Sequence, residues 1–304
     1  MRIALLHEHP TWSVDLIRRA ADREFDLAPI DITTFDLMSI DPDQGFDVWV
    51  NRINAMPSAG RPPSVVAAAG HLLASLEMQG HTVINGSLTH RIGGSKAAQA
   101  ALFERLGLGT PRTIAIYQAS GAVAAAEQVG FPVLTKPNVG GSGAGIVQHD
   151  SVKELQASIA AEHVDLGIDG TGVVQPVIDS ADGMIYRVEM LGDELFYGTK
   201  QRLQAGTYNY CAADGCAIEP DAEVIQLFTP ALAIVESAAR VMRATNTRVG
   251  GVEYLIDASN GHPSFFDFNP YSNFVTGFEE QLGFNPIDRY LDFIFTPSGG
   301  SPAF

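Results

Sequence analysis

Apolar runs of strand length alternate with segments of helical period from the first residues of the chain onward. The pattern predicts strands at 3–6, 25–32, 47–53 and 81–85, with helices at 10–21 and 63–78, the second stopped by Gly80. Strand and helix in alternation require parallel pairing through right-handed crossovers, so an open α/β domain is expected over 1–93.

Ser95 then caps a helix at 96–106 that Gly107 closes. A strand at 112–116, a helix at 118–129, a strand at 132–136, a helix at 151–162 and a strand at 171–178 make a second α/β unit, 94–177. In the remainder, 178–304, strands at 184–191 and 194–200 flank Gly192-Asp193, a hairpin signal. A long helix at 222–243 is expected to lead into two strands joined by Ser259-Asn260-Gly261, and the Gly/Ser/Pro-rich tail 297–304 to fray.

Composition narrows the function. The 304 residues carry 19 Lys+Arg against 35 Asp+Glu, a formal charge of −16, which argues against a nucleic-acid groove or a basic membrane-binding face. Two cysteines, Cys211 and Cys216, make neither a disulfide framework nor a four-ligand zinc site. The apolar start turns polar at His7-Glu8-His9, too soon for a signal-peptide core, and no apolar run reaches the ~20 residues of a membrane span. A soluble, cytoplasmic protein is expected.

Two segments carry chemistry. After Lys136 the chain reads Pro137-Asn138-Val139-Gly140-Gly141-Ser142-Gly143-Ala144-Gly145. Clustered glycines let backbone N–H groups approach an anion, and the preceding lysine adds a charge-assisted contact. The spacing is neither that of a Walker loop nor that of a dinucleotide fingerprint, and the plain alternative is a hairpin tip between two strands. In the second segment, Asp267 and Asn269 share one face of a strand, while Phe266 and Phe268 take the other. Glu253 lies opposite the apolar face of Val252, Tyr254 and Ile256. A two-residue Asn260-Gly261 turn would set Glu253 opposite Phe268; an odd-length loop sets it opposite Asp267, with Asn269 diagonally adjacent. Two carboxylates and an amide oxygen there can share one hard cation such as Mg²⁺, and the alternative is a solvated polar face.

Taken in order, the N-terminal α/β domain, Ser95-Lys96 at a helix start, Lys136 with its glycine loop, the strand Val173-Val174-Gln175-Pro176-Val177-Ile178 and the paired acidic strands resemble the ATP-grasp superfamily. They are similar in particular to RimK-like and D-alanine–D-alanine ligase-like carboxylate–amine ligases, over roughly residues 80–280. The resemblance implies an α/β chain, α+β in its ATP-binding lobes, with a pre-ATP-grasp domain in front. It implies ATP and Mg²⁺ (or Mn²⁺) as cofactors. Lys96 and Lys136 would contact the phosphates, and Gly141, Ser142, Gly143 and Gly145 would fold over them. Gln175 and the backbone of Val177 would bond the adenine; Glu253, Asp267 and Asn269 would hold the metal. Arg187 and Arg202, with Lys200 beside them, are candidates to bind the acyl or phosphoryl group. Residues 207–211 would form a flap near the substrate.

The implied reaction is ADP-forming ligation of a carboxylate to an amine, an amino acid or peptide among them, through an acylphosphate. Similar enzymes are commonly homo-oligomers, on which the sequence is silent. Three departures stand out. Asp267-Phe268-Asn269 replaces the usual Glu-x-Asn and resembles the Asp-x-Asn of inositol phosphate kinases of this fold. Ile185 stands where a ribose-binding acid is usual, with Asp179 and Asp182 as substitutes. Tyr271-Ser272-Asn273-Phe274 replaces Ser-Pro-Gly. A kinase and a non-catalytic nucleotide-binding module are therefore the alternatives. His7-Glu8-His9 lacks zinc-helix spacing, and Trp12 and Trp49 read as packing residues.

Overall fold

The structure, a computed structural model, describes residues 1–34, 45–56, 61–141, 143–203 and 225–296. Ser142, the expected flap at 207–211, both cysteines and the tail 297–304 lie outside the described residues.

In the first sheet, β1 (Ile3–His7), β2 (Leu27–Asp31), β3 (Val48–Asn51) and β4 (Val83–Ile84) run parallel in the order β2-β1-β3-β4. The connections include α1 (Val14–Asp22) and α2 (Ser64–Met78). Its strands are apolar on both faces because both faces are covered: Ile3 and Leu5 enter one core cluster, Ala4 and Leu6 another. Two short helices follow, α3 (Ser87–Gly93) and α4 (Lys96–Arg105).

The second sheet is antiparallel. It comprises β5 (Ile114–Ile116), β6 (Val133–Pro137), β7 (Val147–His149) and β8 (Gly172–Pro176) in the order β5-β8-β6-β7. Helices α5 (Ala122–Val129) and α6 (Val152–Ala160) supply its apolar backing.

The third sheet, also antiparallel, orders β9 (Met184–Leu191), β10 (Glu194–Arg202), β11 (Ile225–Phe228), β12 (Val249–Ile256) and β13 (Pro263–Asn269) as β11-β10-β9-β12-β13. The Gly192-Asp193 hairpin forms as expected, with Leu191 opposite Glu194 and Gly192 at φ +62°, which glycine takes without steric cost. One face packs on α7 (Leu232–Thr245) and α4 through Val188, Met190, Val252, Tyr254, Phe265 and Phe268.

The helix expected at 222–243 is corrected. Residues Ile225–Phe228 pair with β10 as an edge strand, and the helix begins only after Pro230, whose ring disfavours helical geometry in the residue before it. The hairpin parity is also reached differently from the expectation. The turn 257–262 is even in length, with Tyr254 opposite Phe265, and a β-bulge at Phe266 then sets Glu253 opposite Asp267. Phe265, not Phe266, therefore shares the core face with Phe268.

Two further helices, α8 (Glu279–Leu282) and α9 (Pro286–Ile294), close the described chain. The Asn285-Pro286 start is a strong cap: the Asn285 side chain accepts from the N–H groups of Ile287 and Asp288 at 3.0 and 3.2 Å. Tyr290, Leu291 and Ile294 then join Ile3, Leu5, Tyr197 and Phe274 in one cluster, so α9 locks the first sheet onto the third. Asn85 supplies the polar part of that lock. Its Nδ2 donates to the carbonyls of Val249 and Pro270 at 2.7 Å each, and its Oδ1 accepts from Arg248 and Val249 N–H at 2.9 and 3.3 Å.

Removing the amide leaves several buried backbone groups unpaired, each costing about 1–3 kcal/mol. Asn85→Ala is expected to lower unfolding stability by about 2–4 kcal/mol in urea titration; an unchanged midpoint would show that Asn85 does not lock the sheets.

Candidate active site

The site grows from a helix start and a strand end stitched together. Ser95 caps α4, its Oγ accepting from Ala98 N–H at 3.2 Å. Asn138, two residues beyond Lys136, accepts on Oδ1 from the Ser95 hydroxyl at 3.1 Å and from Ala97 N–H at 3.0 Å. The Asn138 carbonyl accepts from Lys96 N–H at 3.1 Å. These bonds fix the first residue of α4 against the end of β6 and bring two lysines into one region. Lys136 points from the same face of the second sheet as Leu134, Val173 and Gln175, since their register pairs are Lys136–Val173 and Leu134–Gln175.

Opposite stands the third sheet. Register places Arg187, Glu253 and Asp267 in one row across β9, β12 and β13, and Glu189, Gly251 and Asn269 in the next. Residues of both rows share one face of the sheet. Arg187 Nη1 donates to Glu253 Oε1 at 3.1 Å and its Nε to Glu189 Oε1 at 2.6 Å. Asn269 Nδ2 donates to Glu253 Oε1 at 3.1 Å and to Asp267 Oδ2 at 3.4 Å. Lys96 Nζ lies 3.9 Å from Asp267 Oδ1, which is buried and accepts no hydrogen bond.

Electrostatics are correspondingly tense. Loss of water, then the neighbouring Lys96 charge, pushes the Lys136 ammonium down to about 7, with Asp267 pulling the other way. Burial raises the Glu253 carboxyl; Arg187 works against that rise and Asp267 adds to it. Oxygen donors on two facing carboxylates, one of them with an orphaned buried oxygen, suit a hard divalent cation, and the Asn269 amide can turn its oxygen inward. Among the described residues no three His, Cys, Asp or Glu side chains converge, so the candidate set is two acids and an amide.

The glycine loop reaches toward the first domain. Gly143 and Gly145 both hold φ +71°, and a Cβ on Gly141 would stand 2.9 Å from Met56 Sδ. At the expected adenine hinge the donors are engaged. Gln175 Nε2 donates to Thr113 Oγ1 at 2.8 Å and Val177 N–H to the Pro132 carbonyl at 2.9 Å. Asp182 accepts from Ser180, Tyr186 and Met184 and is committed to that turn, while Asp179 is exposed.

Arg202 does not join the site. A bulge at Phe196 shifts β10 so that Thr199 opposes Arg187, Lys200 opposes Tyr186 and Arg202 opposes Met184. Lys200 and Arg202 therefore lie on the face opposite Arg187, and Arg202 is exposed. Trp49 is a buried packing residue as expected, whereas Trp12 stacks on His9 at 3.9 Å and leans on Tyr271.

Sequence reading missed three residues. Gln99, one turn after Lys96, donates to the Phe268 carbonyl at 3.2 Å and accepts its N–H at 3.0 Å, binding α4 to β13 as a strand partner would. Arg52 is buried over the Tyr271 ring and donates to the Ser272 carbonyl at 2.6 Å, holding the loop after β13. Glu189 is the third. Two local signals were available, the spacing of Lys96 and Gln99 on one helix face and that of Arg187 and Glu189 on one strand face.

Comparison with solved structures decides the architecture. A RimK-domain ATP-grasp protein from Sphaerobacter thermophilus is 17% identical and superposes with a TM-score of 0.67 over 97% of this chain and 100% of that one. The D-alanine–D-alanine ligase of Bacillus anthracis is 15% identical, with a TM-score of 0.70 over 96% and 95% of the two chains. The chain has the ATP-grasp fold. The ATP-grasp ligase PsnB, complexed with a phosphomimetic variant of its minimal precursor, Mg and ADP, is 14% identical, with a TM-score of 0.64 over 96% of this chain and 97% of that one. No protein-family model matches the sequence, and no curated protein matches it. Among the described residues no helix is long and apolar enough to cross a membrane.

The lowered Lys136 value fixes a sign. An ammonium whose value falls from 10.5 to about 7 on folding destabilises the native state fully below pH 7 and progressively less as pH rises toward 10.5. Lys136→Met is expected to unfold at higher urea than wild type at pH 6, with the gap closing by pH 10. A gap independent of pH would show that Lys136 is not desolvated.

Proposed function

We propose that the protein is an ATP-dependent carboxylate–amine ligase that forms an amide or peptide bond and releases ADP and phosphate. The observation that carries this reading is the meeting of Lys96 and Lys136 with Glu253, Asp267 and Asn269 across two sheets, under a glycine loop. In this reading the chain divides into a domain at 1–93, a central lobe at 94–177 and a C-terminal lobe at 178–304.

Lys96 and Lys136 bind the phosphate oxygens of ATP, and the amides of Gly141, Gly143 and Gly145 cover them and exclude water. Glu253, Asp267 and Asn269 would hold Mg²⁺, which neutralises phosphate charge when bound. A substrate carboxylate oxygen attacks the γ-phosphorus and the bond to the β-bridging oxygen breaks, giving an acylphosphate and ADP. The amine then attacks the acyl carbon, phosphate leaves, and the ammonium proton passes to solvent. Positioning and charge supply the catalysis, and no protein nucleophile is required. The acids and amines used by D-alanine–D-alanine ligase and PsnB suggest an amino acid or peptide as substrate.

One feature favours a kinase, the shorter Asp267 in place of Glu. Against it, a polyphosphorylated substrate needs clustered cations, whereas Arg187 is engaged by two carboxylates and Lys200 and Arg202 face away.

Incubation with ATP, Mg²⁺ and pooled amino acids separates the readings. Phosphate release that requires both an acid and an amine is expected; ADP with a stable phosphorylated product would mean a kinase, and no turnover a binding module. Lys136→Ala and Asp267→Ala should each cut ADP formation by at least about 100-fold. Wild-type turnover in either variant would contradict the site.

A further inference from the structure

Glu189 is one of the buried charged groups that the chemistry proposed above does not use. Glu189 is 2% exposed; its Oε1 accepts from Arg187 Nε at 2.6 Å and its Oε2 accepts no hydrogen bond. The carboxylate lies across β12 at Gly251, where a Cβ would stand 3.0 Å from both Cδ and Oε1 of Glu189. The sheet thus gives up a side chain in its interior strand β12 to make room for a carboxylate. Burying such a group is costly unless it holds a counter-charge in good geometry.

Arg187 is that counter-charge, and it spans two acids. Its Nε rests on Glu189 and its Nη1 on Glu253 at 3.1 Å. Glu253 is consequently claimed twice, by the guanidinium and by the divalent cation of the proposed reaction. Without a second acid, cation and arginine would compete for Glu253 outright. With Glu189 present, the arginine keeps a partner when Glu253 is taken.

We infer that Glu189 is a positioning residue, a tether that holds Arg187 through Nε while a divalent cation takes Glu253. The inference rests on the ligase reading only for the existence of the cation site and adds a residue to it. Charge and reach are both required. Aspartate keeps the charge, but its side chain is one methylene shorter and does not reach Nε.

The test is Mn²⁺ binding to the ADP-saturated protein, followed by electron paramagnetic resonance. It compares wild type, Glu189→Gln, Glu189→Asp and the double variant Glu189→Gln/Arg187→Met. Both single variants should bind Mn²⁺ roughly tenfold more weakly, because the arginine then falls back on Glu253. The double variant should return to within about threefold of wild type, since the competitor is gone. Wild-type affinity in Glu189→Asp would show that only charge matters and would overturn the tether. A double variant as weak as the single would show Glu189 acting on the cation itself and would overturn the tether equally. Failure of the wild type to bind Mn²⁺ would instead remove the cation site, and the tether with it. Should the variants not fold, wild-type crystals grown with Mn²⁺ and ADP give the answer: Nη1 leaves Glu253 and Nε stays on Glu189. Arg187 leaving Glu189 would overturn the proposal.

Discussion

Two ammonium groups confined with too little water are the constraint on which the rest of this site depends. Lys96 and Lys136 come from a helix start and a strand end, and the Asn138 bonds to α4 hold them together although they repel. Asp267 offsets part of that repulsion from the facing sheet. A site so arranged is preorganised for a polyanion, because an incoming charge relieves a cost that folding has already incurred. The remaining scaffold serves this arrangement: Gln99 fixes α4 to β13, and Asn85 and α9 fix the first sheet to the third.

Strand register does the second half of the work. In an antiparallel sheet every residue opposite another shares its face, so a single inserted residue transfers all later side chains to the other side. The bulge at Phe266 brings Asp267 and Asn269 onto the face of Glu253 and Arg187. The bulge at Phe196 has the reverse effect, sending Lys200 and Arg202 to the helix-backed face. Two irregularities in neighbouring hairpins therefore decide which charges share the face of Glu253 and Arg187. Gly251 leaves room in β12 that the Glu189 carboxylate of the neighbouring β9 fills from the side.

Much of this was legible beforehand. The alternation of the first ninety residues named a parallel sheet, because strand and helix periods are local, and the chain order of Lys96, Lys136, glycine loop and acidic hairpin carried the resemblance to the ATP-grasp superfamily. Glu253 opposite Asp267 followed from keeping apolar residues on one core. The mechanism of that pairing did not follow, since a bulge has no signature in Ser264-Phe265-Phe266-Asp267 beyond two adjacent aromatics. The β11 strand was hidden within a segment whose composition suits a helix, with Pro230 as the overlooked break. Gln99 and Arg52 act through partners distant in sequence, 169 residues for Gln99 and Phe268 and 220 for Arg52 and Ser272. No local pattern reports such pairs.

Competitive acylation of the native protein at pH 7.5, read by mass spectrometry, tests the polyphosphate clamp most directly. Mg·ATP should protect Lys96 and Lys136 from labelling while leaving the exposed Lys153 unchanged. Equal labelling of Lys96 and Lys136 with and without Mg·ATP would contradict the account.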